Sequence, residues 1–177
     1  MTDIIPTKIE KPVFSFDYEV NEPALNPAQL LRTTNDLVSF TVSTRVPDTD
    51  SATAAKYGVF FVAPFPCALV SVSEVHATAG TDGGAVTLDV EKLTGTTAKG
   101  SGISMLSSTF NLKSTANTVV KKDLISGIAV ISSVAGTLDR ALATGERVAL
   151  KTSGTLTAVN DVCVTLVFKT DLANLPI

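Results

Sequence analysis

Apolar and polar side chains alternate in run after run along this chain, and that two-residue period constrains its fold more than any other feature. In AVTLDVEKL (85–93), Val86, Leu88 and Val90 share one parity while Thr87, Asp89 and Glu91 share the other. Val38, Phe40, Val42 and Val46 alternate in the same way with Ser39, Thr41, Ser43 and Arg45. Successive side chains of a strand point to opposite faces, so each run reads as a strand with one buried face. YGVFFVA (57–63), CALVSVSEVHAT (67–78), a stretch near 110–120, GIAVISSV (127–134), RVALKT (147–152) and DVCVTLVFK (161–169) add further strands. About nine short strands at this spacing predict an all-β, antiparallel β-sandwich. The abundance of Thr and Val suits such half-buried pleated surfaces. The expected core is Phe40, Val42, Phe60, Val70, Val72, Val86, Leu88, Val90, Val148, Leu150, Val164, Leu166 and Phe168.

Turn chemistry divides the runs. GTDGG (80–84) carries Asp-Gly and Gly-Gly, which tolerate the positive φ of tight turns, so EVHATAGTDGGAVTLDVEKL is expected to be a hairpin. Within 67–78 the apolar parity slips near Ser73–Glu74, which predicts one extra residue, a β-bulge, at that place. GTTAKGSGIS (95–104) reads as a flexible loop, and MLSSTF (105–110) as a single helical turn.

The first part of the chain differs from the rest. Residues 1–55 hold eight acids and four bases, net −4, whereas residues 56–177 hold nine and ten, net +1. Residues 1–35 are therefore read as an extended N-terminal arm and 36–177 as the sandwich domain. The arm contains one strand, VFSFDYEV (13–20), and one short helical turn begun by Asn26 and Pro27. In that strand Phe14, Phe16, Tyr18 and Val20 form an apolar stripe that something must cover. It is covered by the chain's own sandwich or, by strand addition, by a neighbouring subunit or another protein.

Several function classes are disfavoured. A net charge of −3 lacks the dense Lys and Arg of a general nucleic-acid binder. No apolar run approaches the roughly 18–20 residues of a membrane span; the longest tract, Gly58 to Val72, contains Pro64, Pro66 and Ser71. MTDIIPTKIEKP lacks a signal peptide's apolar segment, so synthesis in a cytoplasm is expected. Cys67 and Cys163 make no disulfide framework and are read as small buried hydrophobes.

Reactive constellations are equally sparse. His76 is the only histidine, with Glu74 two residues away on its own face, and is read as structural or surface rather than as a general base. One His and two distant Cys make no zinc cluster. In GTTAKGS, Ser101 stands where a phosphate loop needs lysine, and Lys99 precedes it. Asp48, Asp50 and Asp161 match no calcium-loop spacing. Glu74, Asp89 and Glu91, placed on paired strands by the expected hairpin, are the carboxylates available for glycoside chemistry, but there is no Trp and only two Tyr to platform a sugar. No enzymatic activity, cofactor or metal is expected.

Three segments carry a resemblance: VFFVAPFPCALVSVSEVHATAGTDGGAVTLDVEKLTGTTAKGSG, FNLKSTANTVV, and LATGERVALKTSGTLTAVNDVCVTLVFK. Together, over roughly residues 56–169, they resemble the jelly-roll domains of tailed-bacteriophage virion proteins, especially head decoration (cement) proteins and head-fibre modules. The resemblance implies a jelly roll of about eight strands, commonly a homotrimer, bound to the major capsid protein on the outer surface of the head. It carries over no catalytic residue. The expected function is capsid decoration at capsomer junctions, in a virion assembled in a bacterial host, with the stripe Phe14, Phe16, Tyr18 and Val20 as capsid or inter-subunit contact. The alternative is a receptor- or carbohydrate-binding module of a fibre or tail spike, presenting loops such as 95–104.

Overall fold

The computed structural model describes residues 39–46, 58–129 and 137–170. The expected arm, including Phe14, Phe16, Tyr18 and Val20, lies outside the described residues, as do the 47–55 loop and residues 130–134 of the predicted 127–134 strand. Ten strands are present among the described residues: β1 (Ser39–Val46), β2 (Val59–Val62), β3 (Cys67–Val75), β4 (Thr87–Leu93), β5 (Ile103–Ser104), β6 (Phe110–Asn111), β7 (Val120–Asp123), β8 (Ala141–Leu142), β9 (Arg147–Ser153) and β10 (Val162–Thr170). No helix occurs among them, and the expected turn of helix at 105–110 is instead bends around a bridge between Leu106 and Ile128.

All strand pairs are antiparallel, in two sheets. One runs β1-β10-β3-β7 with β8 also on β3; the other runs β2-β9-β4-β5 with β6 also on β4. The chain crosses between the sheets after β1, β2, β3, β6, β8 and β9, which is the winding of a jelly roll. The sheets meet at both margins. At one, Phe40 of β1 lies 5.8 Å from the Phe61 ring of β2; at the other, the Lys122 ammonium of β7 sits 5.0 Å over the Phe110 ring of β6.

The expected inner faces fill the space between the sheets. Val72, Val86, Leu88, Val90, Val148, Leu150, Val164, Leu166 and Phe168 are buried, and Phe40, Val42 and Phe60 pack half-buried against them. Other expectations change. The strand expected near 110–120 is instead two short ones, β6 and β7, joined by a connection over 112–119, and Gly127 and Ile128 of the expected 127–134 strand make isolated bridges. β3 and β4 pair with different neighbours in opposite sheets, so 74–93 is not a hairpin but a corner that carries the chain across the sandwich. Glu74 therefore does not lie on a strand paired with that of Asp89 and Glu91.

The bulge is real but sits earlier. Val167 pairs with Ser71 and Phe168 with Leu69, leaving Val70 as the extra residue. Val70 is consequently only half-buried, and Leu69 takes the core place expected for it. Beyond the bulge Val72, Glu74 and His76 face inward rather than Val75 and Ala77. A one-residue insertion flips every later side chain, so its position decides that two polar groups enter the core.

Candidate functional site

The described residues contain two buried polar clusters. The first follows from the bulge. Glu74 and His76 are 1% and 0% exposed, and His76 Nδ1 lies 2.8 Å from Glu74 Oε1. The other ring nitrogen, Nε2, donates to the backbone carbonyl of Ser114 at 3.1 Å. The Asn117 amide donates to the His76 carbonyl at 2.7 Å, and Gly80 to that of Leu112 at 2.8 Å. Asn117 holds a positive φ of 58°, a conformation asparagine tolerates better than most residues. The corner after β3 and the connection between β6 and β7 are thus fastened to each other through His76.

Serine, histidine and acid are the residue types of a nucleophilic triad, but the geometry is a different one. In a triad, Nε2 accepts the serine proton and faces a reachable substrate position. Here Nε2 is occupied as a donor to a carbonyl, and the ring has no exposed surface. Glu74 Oε2 and Ser114 Oγ are buried without a hydrogen-bond partner. Burial pushes the Glu74 carboxyl above its ordinary range, against the hydrogen bond and charge of His76, which pull it down.

The second cluster lies on β4, where residues 90–93 are all buried. Glu91 has the outward parity expected for it, yet it is 1% exposed because the 95–102 loop folds over it. Its Oε1 accepts the Gly100 amide and its Oε2 accepts the Gly102 amide at 2.9 Å. A Cβ on Gly102 would come within 2.5 Å of the Lys92 carbonyl oxygen, so only glycine fits. Arg147 of β9 ties the same loop down, donating to the carbonyls of Gly95 at 2.9 Å and Thr97 at 2.8 Å. The expected flexible loop is therefore pinned at four backbone positions.

Lys92, of inward parity, forms a buried ion pair with Asp139 and donates to the Ala141 carbonyl at 3.0 Å, joining β4 to β8 of the opposite sheet. Asp89 accepts from Ser104 Oγ at 2.6 Å and from the Val90 amide at 2.8 Å. Burial raises its carboxyl above the usual range; those hydrogen bonds and Lys151 oppose the shift, and Glu91 adds to it. Both Glu91 oxygens are engaged by amides, and Glu74 is in the other sheet, so the three carboxylates make no acid–base pair. Every one of these groups is bonded to the chain itself.

Glu91 gives a direct test. Glu91→Ala is expected to release the loop, so that trypsin cuts after the exposed Lys99 at least about tenfold faster than in the parent, the consequence of a local opening eased by about 1.4 kcal/mol. Equal cleavage rates would show that Arg147 alone holds the loop.

The remaining sequence candidates separate. Asp161 forms an exposed ion pair with Arg45 at 3.1 Å, while Asp48 and Asp50 lie outside the described residues. Among the described residues no group of three or more His, Cys, Asp or Glu is placed to hold a metal ion. Cys67 is buried as expected, its thiol pushed up to about 11 by burial and then by Glu146; Cys163 is half-buried. Sequence reasoning missed Lys92 and Asp139 altogether. It noted Glu74 beside His76 without the burial, and nothing local marked Glu91 except the glycines nine and eleven residues later.

No family model matches the chain, and no curated protein matches it. Among solved structures it is similar to a chain described as the cyanophage Pam1 capsid asymmetric unit. The identity is 13% and the TM-score 0.48, over 75% of this chain and 85% of that one.

Proposed function

We propose that this chain is a structural virion protein: a capsid decoration (cement) protein that sits as a homotrimer on the outer surface of a bacteriophage head and stabilises capsomer junctions. One observation carries the reading. The three segments that resemble jelly-roll virion proteins are the strands and corners of a jelly roll, and its buried polar groups hold its own loops. A body of this kind contributes stiffness and surface. A protein that binds the assembled lattice and not free capsomers shifts the equilibrium toward the lattice.

The surface supports self-association. Val59 and Val62 of β2 are 41% and 55% exposed at one margin; Val119, Leu124 and Ile125, flanking β7, are 64%, 55% and 96% exposed at the other. Different patches on opposite margins suit head-to-tail contacts, which close into a ring when the rotation allows. Light scattering of the full chain should give about three times the 18.4 kDa chain mass, and Val62→Asp or Ile125→Asp should each reduce it. If both variants keep the parent's mass, these margins are not the contact.

Attachment to the major capsid protein is assigned to the acidic N-terminal arm, through Phe14, Phe16, Tyr18 and Val20. Burying such side chains contributes about 1.5–3 kcal/mol each, offset by roughly 1–2 kcal/mol per residue ordered. Deleting residues 1–24 should leave a folded body that no longer sediments with empty heads. Copy number in purified virions tests the whole reading: hundreds of copies per particle agree with decoration. A handful, together with glycan binding, would make the chain a receptor-binding tip instead.

A further inference from the structure

We infer that Glu74 and His76 jointly hold one proton inside the fold, and that this proton latches the 112–118 connection onto the end of β3. The hydrogen-bond geometry requires it. The Ser114 carbonyl can only accept, so Nε2 carries a hydrogen. Nδ1 and Glu74 Oε1, 2.8 Å apart, are both acceptors when the imidazole is neutral and the carboxylate charged. A proton must lie between them, on the ring or on the carboxyl. Without it, two lone pairs and a bare charge would face each other at a site with no exposed surface.

Among the described residues no other charge stands ready to compensate. From β7, Lys121 pairs in register with Ser73 on the outer face and Lys122 reaches Ser108 at 2.9 Å. Asp123 accepts the Ile125 and Ser126 amides of its own turn. In the 112–118 connection, Lys113 turns away to the carbonyls of Asp82 and Gly84. Beside β10, Arg45 and Asp161 engage each other. The uncharged neighbours are Val164 of β10 and Val120 of β7, each paired with Glu74. The direction of the Glu74 shift, upward by burial, agrees with a retained proton.

The consequence is a pH-dependent latch. When the connection opens, both groups meet water and take ordinary values, about 4.3 for Glu and 6.5 for His. Above about pH 6.5 the open form has lost the proton that the closed form still holds. The closed form then binds more protons, so its stability falls as pH rises, by up to about tenfold in the opening equilibrium per pH unit. Glu74 taken alone has the same sign: a raised carboxyl contributes stability that is present at low pH and lost as pH rises through its folded value.

His76 is the chain's only histidine, so nitrogen-15 NMR of the full-length protein reads it without assignment. From pH 5.5 to 8 the folded protein should show a hydrogen on Nε2 and a slowly exchanging proton between Nδ1 and Oε1. After correction for intrinsic exchange, the Asn117 amide, bonded to the His76 carbonyl, should lose protection up to about tenfold per pH unit above 6.5. In Glu74→Gln a carboxamide N–H replaces the shared proton and does not titrate, so this slope should disappear. A folded protein in which no proton is found between Nδ1 and Oε1 overturns the proposal, and so does an unchanged slope in Glu74→Gln. The ring spectrum of the parent protein decides the matter alone if that variant does not fold.

Discussion

Phe168→Ala should destabilise the protein by about 3–5 kcal/mol, the range for truncating a buried aromatic ring. Phe168 on β10 is fully buried and stacks on Phe40 at 5.4 Å and on Phe61 at 5.1 Å. Phe65 meets Phe40 edge-on at 5.6 Å, so the ring lies inside an aromatic cluster joining β1 and β10 to β2 of the other sheet. Such pairs add roughly 0.5–1.5 kcal/mol beyond area burial, and alanine removes two at once while leaving a ring-sized cavity. For a chain of this length the loss corresponds to about 6–20 °C in Tm, read by circular dichroism melting. Phe168→Leu fills most of the space and should lose less than half as much. A shift under about 1 kcal/mol for the alanine variant would mean that this margin collapses freely or is not packed as described.

Asp139→Ala is expected to cost about as much, for an electrostatic reason. It leaves the Lys92 ammonium, on a residue 7% exposed, without its counter-charge and with only the Ala141 carbonyl as partner. Removing one partner of a buried ion pair typically costs about 3–5 kcal/mol, whereas exchanging both for apolar residues of similar volume is often neutral or stabilising. Lys92→Met combined with Asp139→Leu should therefore recover most of the loss. Guanidinium unfolding of the two singles and the double gives the cycle. Should the double variant be as unstable as the single, the pair contributes geometry at β4 and β8 that apolar packing cannot replace.

The inner faces were legible because alternation is local. Val86, Leu88 and Val90 on β4, and Val164, Leu166 and Phe168 on β10, point inward as their parity requires. The two-residue period is a property of the extended backbone and needs no knowledge of the partner strand. The corner at 80–84 shows where local reading stops. Its Asp-Gly and Gly-Gly steps were read as a tight positive-φ turn, but none of Gly80, Gly83 and Gly84 takes a positive φ; the chain only bends there, and a turn former does not choose the strand that receives the chain. β4 takes β9 as its long neighbour, from about sixty residues further on, because closing two sheets over one core buries more apolar surface than an isolated β3–β4 pair.

By itself, then, the sequence determined the all-β class, the positions of β1, β3, β4, β9 and β10 and, in all of these but β3, the parity that enters the core, since these follow from the alternation of short segments. Tertiary structure alone decided the rest: strand pairing, the bulge at Val70 rather than at Ser73–Glu74, and the burial of polar groups. A charged side chain enters the core only where a partner meets it, and that partner is brought by the winding. Asp139 reaches Lys92 across 47 residues, and Ser114 reaches His76 across 38. No periodicity within either segment encodes such a meeting.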